Sequence, residues 1–211
     1  MAFLILVIGD LHIPDRAPDI PAKFKKLLSP GKIAQTLCLG NLTDRATYEY
    51  LRGIAPDLKL VRGRMDVEAT ALPLTQVVTH GAVRVGFLEG FTLVSDEPDV
   101  LLAEANRLDV DVLCWSGGTH RFECFEYMDK FFVNPGSATG AFTAADWVGD
   151  AGSGRGQDER GEVVPSFCLM DVQGISLTLY VYQLRKGENG TENVAVEKVT
   201  YTKPVEPTGA S

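Results

Sequence analysis

Apolar residues in this chain come in short blocks, and most blocks stop at a glycine. Phe3 to Ile8 is a continuous apolar run of strand length, rich in β-branched residues. A run without polar alternation predicts a strand covered on both faces. It halts at Gly9. Over residues 21–28 the period changes: Ala22, Phe24, Leu27 and Leu28 are apolar, with Lys23, Lys25 and Lys26 between them. That spacing predicts a short helix with a solvated lysine face, closed by Pro30-Gly31. Ile33 to Leu39 reads as a second strand and breaks at Gly40-Asn41-Leu42. Thr43 or Asp44 can cap a helix running to about Ile54, with Ala46, Tyr48, Leu51 and Ile54 facing inward. Leu58 to Val61 is a third strand, followed by Gly63-Arg64-Met65-Asp66. The order strand-helix-strand-helix-strand predicts a parallel sheet.

The pattern then changes. Leu74–Thr79 and Val83–Leu88 flank His80-Gly81-Ala82, which reads as a hairpin. Glu97 to Leu108 is helical, with Val100, Leu101, Leu102, Ala105 and Leu108 apolar. Val110 to Trp115 is another buried strand, ending at Ser116-Gly117-Gly118-Thr119-His120. Phe122–Tyr127 and Lys130–Val133 form a second hairpin about Met128-Asp129. Val163–Val172, Ser176–Leu184 and Asn193–Tyr201 are three late strands. Residues 149–161 carry five glycines and no large apolar side chain. They cannot bury surface and read as a flexible insertion. Residues 1–203 are expected to form one domain, and 204–211 a loose tail.

Composition narrows the function classes. The chain has 211 residues, is 45% apolar and carries a net charge of -8. Unaided binding to nucleic acid needs clustered Lys and Arg, so that class is excluded, as is an anionic membrane surface. No apolar run reaches membrane-spanning length, and residues 2–8 are too short for a secretory leader. Direct membrane insertion is therefore not expected. Four cysteines, Cys38, Cys114, Cys124 and Cys168, have no paired metal spacing. Cys38, Cys114 and Cys168 lie in strand-like runs, as reduced buried thiols do.

Candidate chemistry sits at the strand ends. Asp10 and His12 follow the first strand, where α/β sheets place ligands. With one spacer in an extended chain the two side chains share a face. Asp and His together suit Zn, Mn or Fe. The same stretch also reads as a strand closed by an Asp-initiated turn. The residues alone leave both readings open.

Taken together, the strand ends carry a longer pattern. Asp10-Leu11-His12, Gly40-Asn41, Gly63-Arg64-Met65-Asp66, Glu89-Gly90 and Gly117-Gly118-Thr119-His120 resemble the motifs of the calcineurin-like metallophosphoesterase family. The resemblance implies an α/β/β/α sandwich with a two-metal site. Longer strings are more specific: Gly9 to Pro14, Pro21 to Leu28, Gly40 to Leu42, Thr119 to Glu123, Asn134 to Ala141, Pro165 to Phe167 and Tyr180 to Leu184. These closely resemble the small-subunit family of retromer, which has the phosphoesterase fold and acts as a scaffold in endosomal cargo sorting.

That resemblance implies a vestigial metal site at Asp10, His12, Asn41 and His120. Asn41 is a neutral replacement for a bridging Asp. Arg64 and Glu89 replace ligands, Gly118 replaces the first His of a Gly-His-x-His motif, and Met65 replaces the acid that protonates the leaving group. With three histidines in the chain, and His80 in a hairpin, no other imidazole can substitute. A guanidinium about 4 Å from a divalent ion costs roughly 8 kcal/mol at an effective dielectric of about 20. Arg64 can instead pair with Asp10 or Glu89 in place of metal. If it points to solvent, one weakly held ion has room. The expectation is a non-catalytic protein with no cofactor.

Two binding surfaces are also implied. The metal rim, at Asn41, Arg64, Phe91, Leu93 and Val94, corresponds to the face that docks on the α-solenoid retromer subunit, vacuolar protein sorting-associated protein 35. A separate apolar patch, at Leu28, Lys32, Leu169, Tyr180, Tyr182 and Val196, corresponds to the receiver of hydrophobic-motif regulators. The implied location is cytoplasmic, at endosomal membranes through the complex. The rival readings are a metal-dependent phosphoesterase acting on phosphodiesters or small phosphomonoesters, and a standalone peptide-binding module.

Overall fold

The first predicted strand lies inside a sheet. In the computed structural model, which describes residues 3–67, 69–143, 163–187 and 189–204, β1 (Leu4–Ile8) pairs in parallel with β2 (Gln35–Cys38), and β2 with β3 (Asp57–Leu60). The late strands continue the sheet on the other side of β1. Because β4 to β8 come first in the chain, these late strands are β9 (Ser166–Gln173), β10 (Ser176–Lys186) and β11 (Glu192–Thr202). The six-stranded order is β11-β10-β9-β1-β2-β3. The second sheet holds β4 (Thr75–His80), β5 (Val83–Glu89), β6 (Val112–Ser116), β7 (Phe122–Tyr127) and β8 (Lys130–Pro135), in the order β4-β5-β6-β8-β7.

Strand alternation explains the layers. Ile5 and Val7 face the second sheet, meeting Val85, Phe87, Cys114 and Val133 in one cluster. Leu6 and Ile8 face the other way, onto α1 (Ala22–Leu27) and α2 (Arg45–Ile54), through Phe24, Leu51 and Ile54. β1 is buried on both faces because both are covered, as its unbroken apolar run requires. α3 (Pro98–Arg107) covers the outer face of the second sheet with Leu101 and Ala105 against Leu113, Trp115 and Phe132. The result is the expected four-layer α/β/β/α sandwich.

Several local expectations change. Asp44 caps α2, its carboxylate accepting from Thr47 N at 2.9 Å. Thr47 is buried while Ala46 is exposed, so the inner face is Thr47, Leu51 and Ile54. On α1, Leu27 is exposed and Leu28, just past the helix, is core. Its lysines are not all free: Lys25 pairs with Asp19 at 2.6 Å, and Lys23 Nζ donates to the carbonyl of Glu192 at the start of β11. Met128 and Asp129 both take positive φ, the backbone a two-residue hairpin turn needs. Cys38, Cys114 and Cys168 are buried free thiols, and burial pushes the half-buried Cys124 thiol up to about 11. Residues 149–161 and 205–211 lie outside the described residues.

Candidate metal centre and its rim

Parallel strands deliver their carboxyl ends to one edge of the sandwich. Asp10 follows β1, Asn41 follows β2, Asp66 follows β3, Glu89 ends β5 and His120 follows β6. The β5–β6 register sets Glu89 opposite Ser116, one residue before Gly117. Each of these five side chains is buried.

The backbone that aims Asp10, Asn41 and His120, and His12 with them, is left-handed, whereas Glu89 stays extended. Asp10, His12, Asn41 and His120 have φ of 49, 47, 57 and 55°. Left-handed backbone is uncommon outside glycine and collects at functional sites. Asp10 and His12 therefore converge through two left-handed residues, not by sharing a strand face as their spacing suggested. Long-range bonds hold the turn. Ser137 Oγ donates to the Asp10 carbonyl at 2.7 Å, and Ala138 N donates to the Gly9 carbonyl at 3.1 Å.

Asp10, His12 and His120 each present a ligand atom within 4.8 Å of the others. His12 Nε2 and His120 Nε2 stand 3.8 and 3.9 Å from Asp10 Oδ1, and the two rings stack at 4.9 Å. His120 Nδ1 lies 2.7 Å from the Ala141 carbonyl, which can only accept. Nδ1 thus donates to that carbonyl, and Nε2 is the ring nitrogen that faces Asp10. His12 Nε2 is buried without a partner among the described residues. Three electron-rich atoms around one point, one of them orphaned, fit a single divalent ion. Such an ion would act as a Lewis acid on an oxygen bound to it. Asp10, His12 and His120 would hold it, and the Ala141 carbonyl would fix the His120 ring.

The other expected parts behave differently. Asn41 turns its amide nitrogen inward, so it offers the centre no ligand oxygen. Arg64 is exposed and makes no ion pair with Asp10 or Glu89 among the described residues. Its charge reaches Glu89 only at a distance. Gly118 is exposed at φ 65°, so the turn there suits glycine and strains any side chain. Of the rim residues, Phe91 and Leu93 are half-buried, and Leu93 packs on the α3 cluster. Val94 is 93% exposed.

Asp66 is a site residue that pattern reading missed. Its Oδ2 accepts from Asn41 N at 2.8 Å and from Gly63 N at 2.7 Å, locking two turns together. Only its place three residues after Gly63 hinted at this. Burial raises the pKa of Asp66 and of Glu89. Burial lowers that of His12 from 6.5 to about 4, with the Asp10 carboxylate opposing the shift.

A pH dependence follows from His12. Its folded pKa lies below its unfolded one, so its contribution is full above 6.5 and is lost as pH falls towards about 4. With a chelator present, the melting temperature is expected to drop between pH 7 and 5. His12→Asn keeps a residue tolerant of left-handed backbone and should flatten that drop. Parallel thermal melts of the two proteins check it; equal slopes would show that the acid sensitivity lies elsewhere.

Comparison with known proteins identifies the family. Residues 3–149 match the calcineurin-like phosphoesterase superfamily domain. The chain is 48% identical to vacuolar protein sorting-associated protein 29 of Schizosaccharomyces pombe over 202 residues, covering 95% of this chain and 99% of that protein. The crystal structure of Chaetomium thermophilum Vps29 is 82% identical at a TM-score of 0.86, covering 96% of this chain and 98% of that one. A Zn²⁺ complex of wild-type Entamoeba histolytica Vps29 is 35% identical at a TM-score of 0.79, covering 94% and 99%. By fold and sequence, the chain belongs to the vacuolar protein sorting-associated protein 29 family within the calcineurin-like phosphoesterase superfamily.

Proposed function

We propose that this protein is a non-catalytic scaffold subunit of retromer. It docks through the rim of its polar centre on the α-solenoid subunit, vacuolar protein sorting-associated protein 35. The observation that carries this is Val94, an aliphatic side chain 93% exposed on the loop that follows Glu89 of the buried polar site. It continues the half-buried apolar Phe91 and Leu93, and a contiguous exposed apolar patch rimmed by polar residues is what marks an interaction surface. Asn41, Arg64, Phe91 and Leu93 complete the docking face. The chemistry supports a scaffold over a phosphoesterase. Met65 offers no proton to a leaving group, and among the described residues the His/Cys/Asp/Glu cluster is Asp10, His12 and His120, fewer donors than a two-ion clamp uses. The protein works as one domain over residues 1–203, carrying the 149–161 insertion. It is cytoplasmic and reaches endosomal membranes through the complex. The charge of -8 opposes direct contact with anionic lipid. Among the described residues no helix is long and apolar enough to cross a membrane. Mixing with recombinant solenoid subunit is expected to give a stoichiometric complex by size exclusion with light scattering. Separate elution at micromolar concentration would sink this reading.

A second surface on the outer face of the six-stranded sheet takes hydrophobic-motif regulators. Alternation along β10 sends Leu177, Leu179 and Val181 inward and Tyr180 and Tyr182 outward. Pairing then builds two rows, Leu169–Tyr180–Lys198 and Phe167–Tyr182–Val196. Val196 is exposed, and so is Lys32. Leu28 is only 2% exposed, so it supports the patch from below and offers no contact area. Tyr182 lies flat on Phe167 at 4.7 Å, which presents a rigid ring with a polar tip. Tyr182→Ala should weaken a hydrophobic-motif peptide about thirtyfold, the size of an interface hot spot, and leave the solenoid complex intact. Calorimetry on both partners, with a melt as control, checks it; loss of both in a folded variant contradicts two separate surfaces.

A further inference from the structure

Between α1, α2 and the loop after β1 lies a cavity of about 260 Å³. That is small for a ligand site, yet far more than one water needs. It includes no residue of the strand-end centre and none of either docking surface. Ile13 and Ile20, both buried, supply apolar wall. The polar wall holds Asp19, Lys25, Asp44 and Tyr50. Asp19 and Lys25 form an exposed pair at 2.6 Å, and Lys25 Nζ stands 5.4 Å from the centre of the Tyr50 ring. Asp44 is placed differently. Its Oδ2 accepts from Thr47 N at 2.9 Å, while its Oδ1 is buried with no hydrogen-bond partner among the described residues. The hydroxyl oxygen of Tyr50 is likewise buried and unpartnered. Burial, and after it the Asp19 carboxylate, raise the Tyr50 pKa. The group therefore stays a phenol, whose oxygen can still accept.

We propose that this cavity binds a primary alkylammonium group, held by Asp44 Oδ1 and the Tyr50 hydroxyl oxygen. Charge favours it. The wall carries two carboxylates and one ammonium; Lys25 balances Asp19, and among the described residues no cation balances Asp44. An ammonium has three N–H donors. Two satisfy the orphaned oxygens, and the third faces water at the mouth. The alkyl stem lies on Ile13 and Ile20, as lysine stems lie on apolar surface. An anion would meet Asp44 with like charge, and two free oxygens are too few for a Ca²⁺ shell. The group arrives either on a free diamine or on a lysine of another protein.

An NMR titration of the full chain with n-butylammonium tests this, with n-butanol as the neutral control of the same shape. Amide shifts are expected at Ile20 and over residues 44–50, saturating at about millimolar concentration, as suits so small a ligand. Butanol should leave them in place. Asp44→Asn keeps a residue that caps α2 equally well but removes the charge, and should weaken binding about tenfold or more. Tyr50→Phe keeps the ring and loses the acceptor, and should weaken it about fivefold. Melting curves establish that each variant is folded, and either one gives the readout if the other is not. Tighter binding of a capped Gly-Lys-Gly peptide than of butane-1,4-diammonium assigns the group to a protein lysine; the reverse order assigns it to a free diamine. No shifts with butylammonium, equal shifts with butanol, or unchanged affinity in a folded Asp44→Asn or Tyr50→Phe variant overturns the proposal.

Discussion

Val94→Asp is expected to weaken the complex with the solenoid subunit by about a hundredfold or more. Burying a valine side chain contributes roughly 1.5–3 kcal/mol, and a carboxylate in its place forfeits that gain. The carboxylate is also stripped of water without a partner, which costs several kcal/mol more. Each 1.4 kcal/mol is about a factor of ten in affinity. The isolated protein should be unaffected, because at 93% exposure Val94 has almost nothing to lose on its own. Exposed positions of this kind usually change stability by less than about 0.5 kcal/mol. Calorimetry with the solenoid subunit and a circular dichroism melt separate the two effects. Wild-type affinity in a folded variant would mean that the partner docks on another face.

The largest loss of stability is expected at Gly63. A Cβ there would sit 2.3 Å from Asn41 N and 2.5 Å from Asn41 Oδ1, closer than any real contact. Backbone cannot swing aside as a flexible side chain can. The turn after β3 would have to move, and Asp66 would lose its grip on Gly63 N and Asn41 N. Gly63→Ala should cost about 4 kcal/mol, at the severe end for a point substitution. For a chain of this size that is a fall of roughly 10 °C in Tm. Gly53 is the matched control: it lies in α2 with nothing within 4 Å of its added Cβ. Gly53→Ala should hold or raise the melting temperature, since alanine favours helix by up to about 1 kcal/mol. A Gly63→Ala melt within a degree or two of wild type would contradict the crowded-turn geometry.

Element type was legible because it follows from which faces are buried, and periodicity records that locally. The unbroken run Phe3–Ile8 gave a strand covered on both sides, and alternation along β10 gave one fully covered on the inner face and half-covered on the outer. The four-layer sandwich was read from resemblance, and the paired faces of β1 explain it. Helix faces were less legible. Ala46 and Leu27 look like core residues by type, yet Thr47 and Leu28 take the inner positions. A difference of one residue turns a helix face by about 100°, and neighbouring layers decide which side is inside.

The candidate site divides along the same line. Sequence by itself determined which side chains reach the strand ends: Asp10, His12, Asn41, Glu89 and His120 each stand within three residues of a glycine at the close of an apolar run. It could not determine how they point. Left-handed backbone at Asp10, His12, Asn41 and His120 has no signature in residue type beyond tolerance. Tertiary structure alone decided that Arg64 faces solvent and that an amide joins Asp10 to Glu89. It also decided that Asp66 clamps two turns. The bonds responsible join residues far apart in the chain: Asn41 to Asp10 across 31 positions and Gly117 to Asp10 across 107. Orientation at such a centre is a property of the closed sandwich, because each group's hydrogen-bond partners arrive from other strands and exist only once those strands have packed.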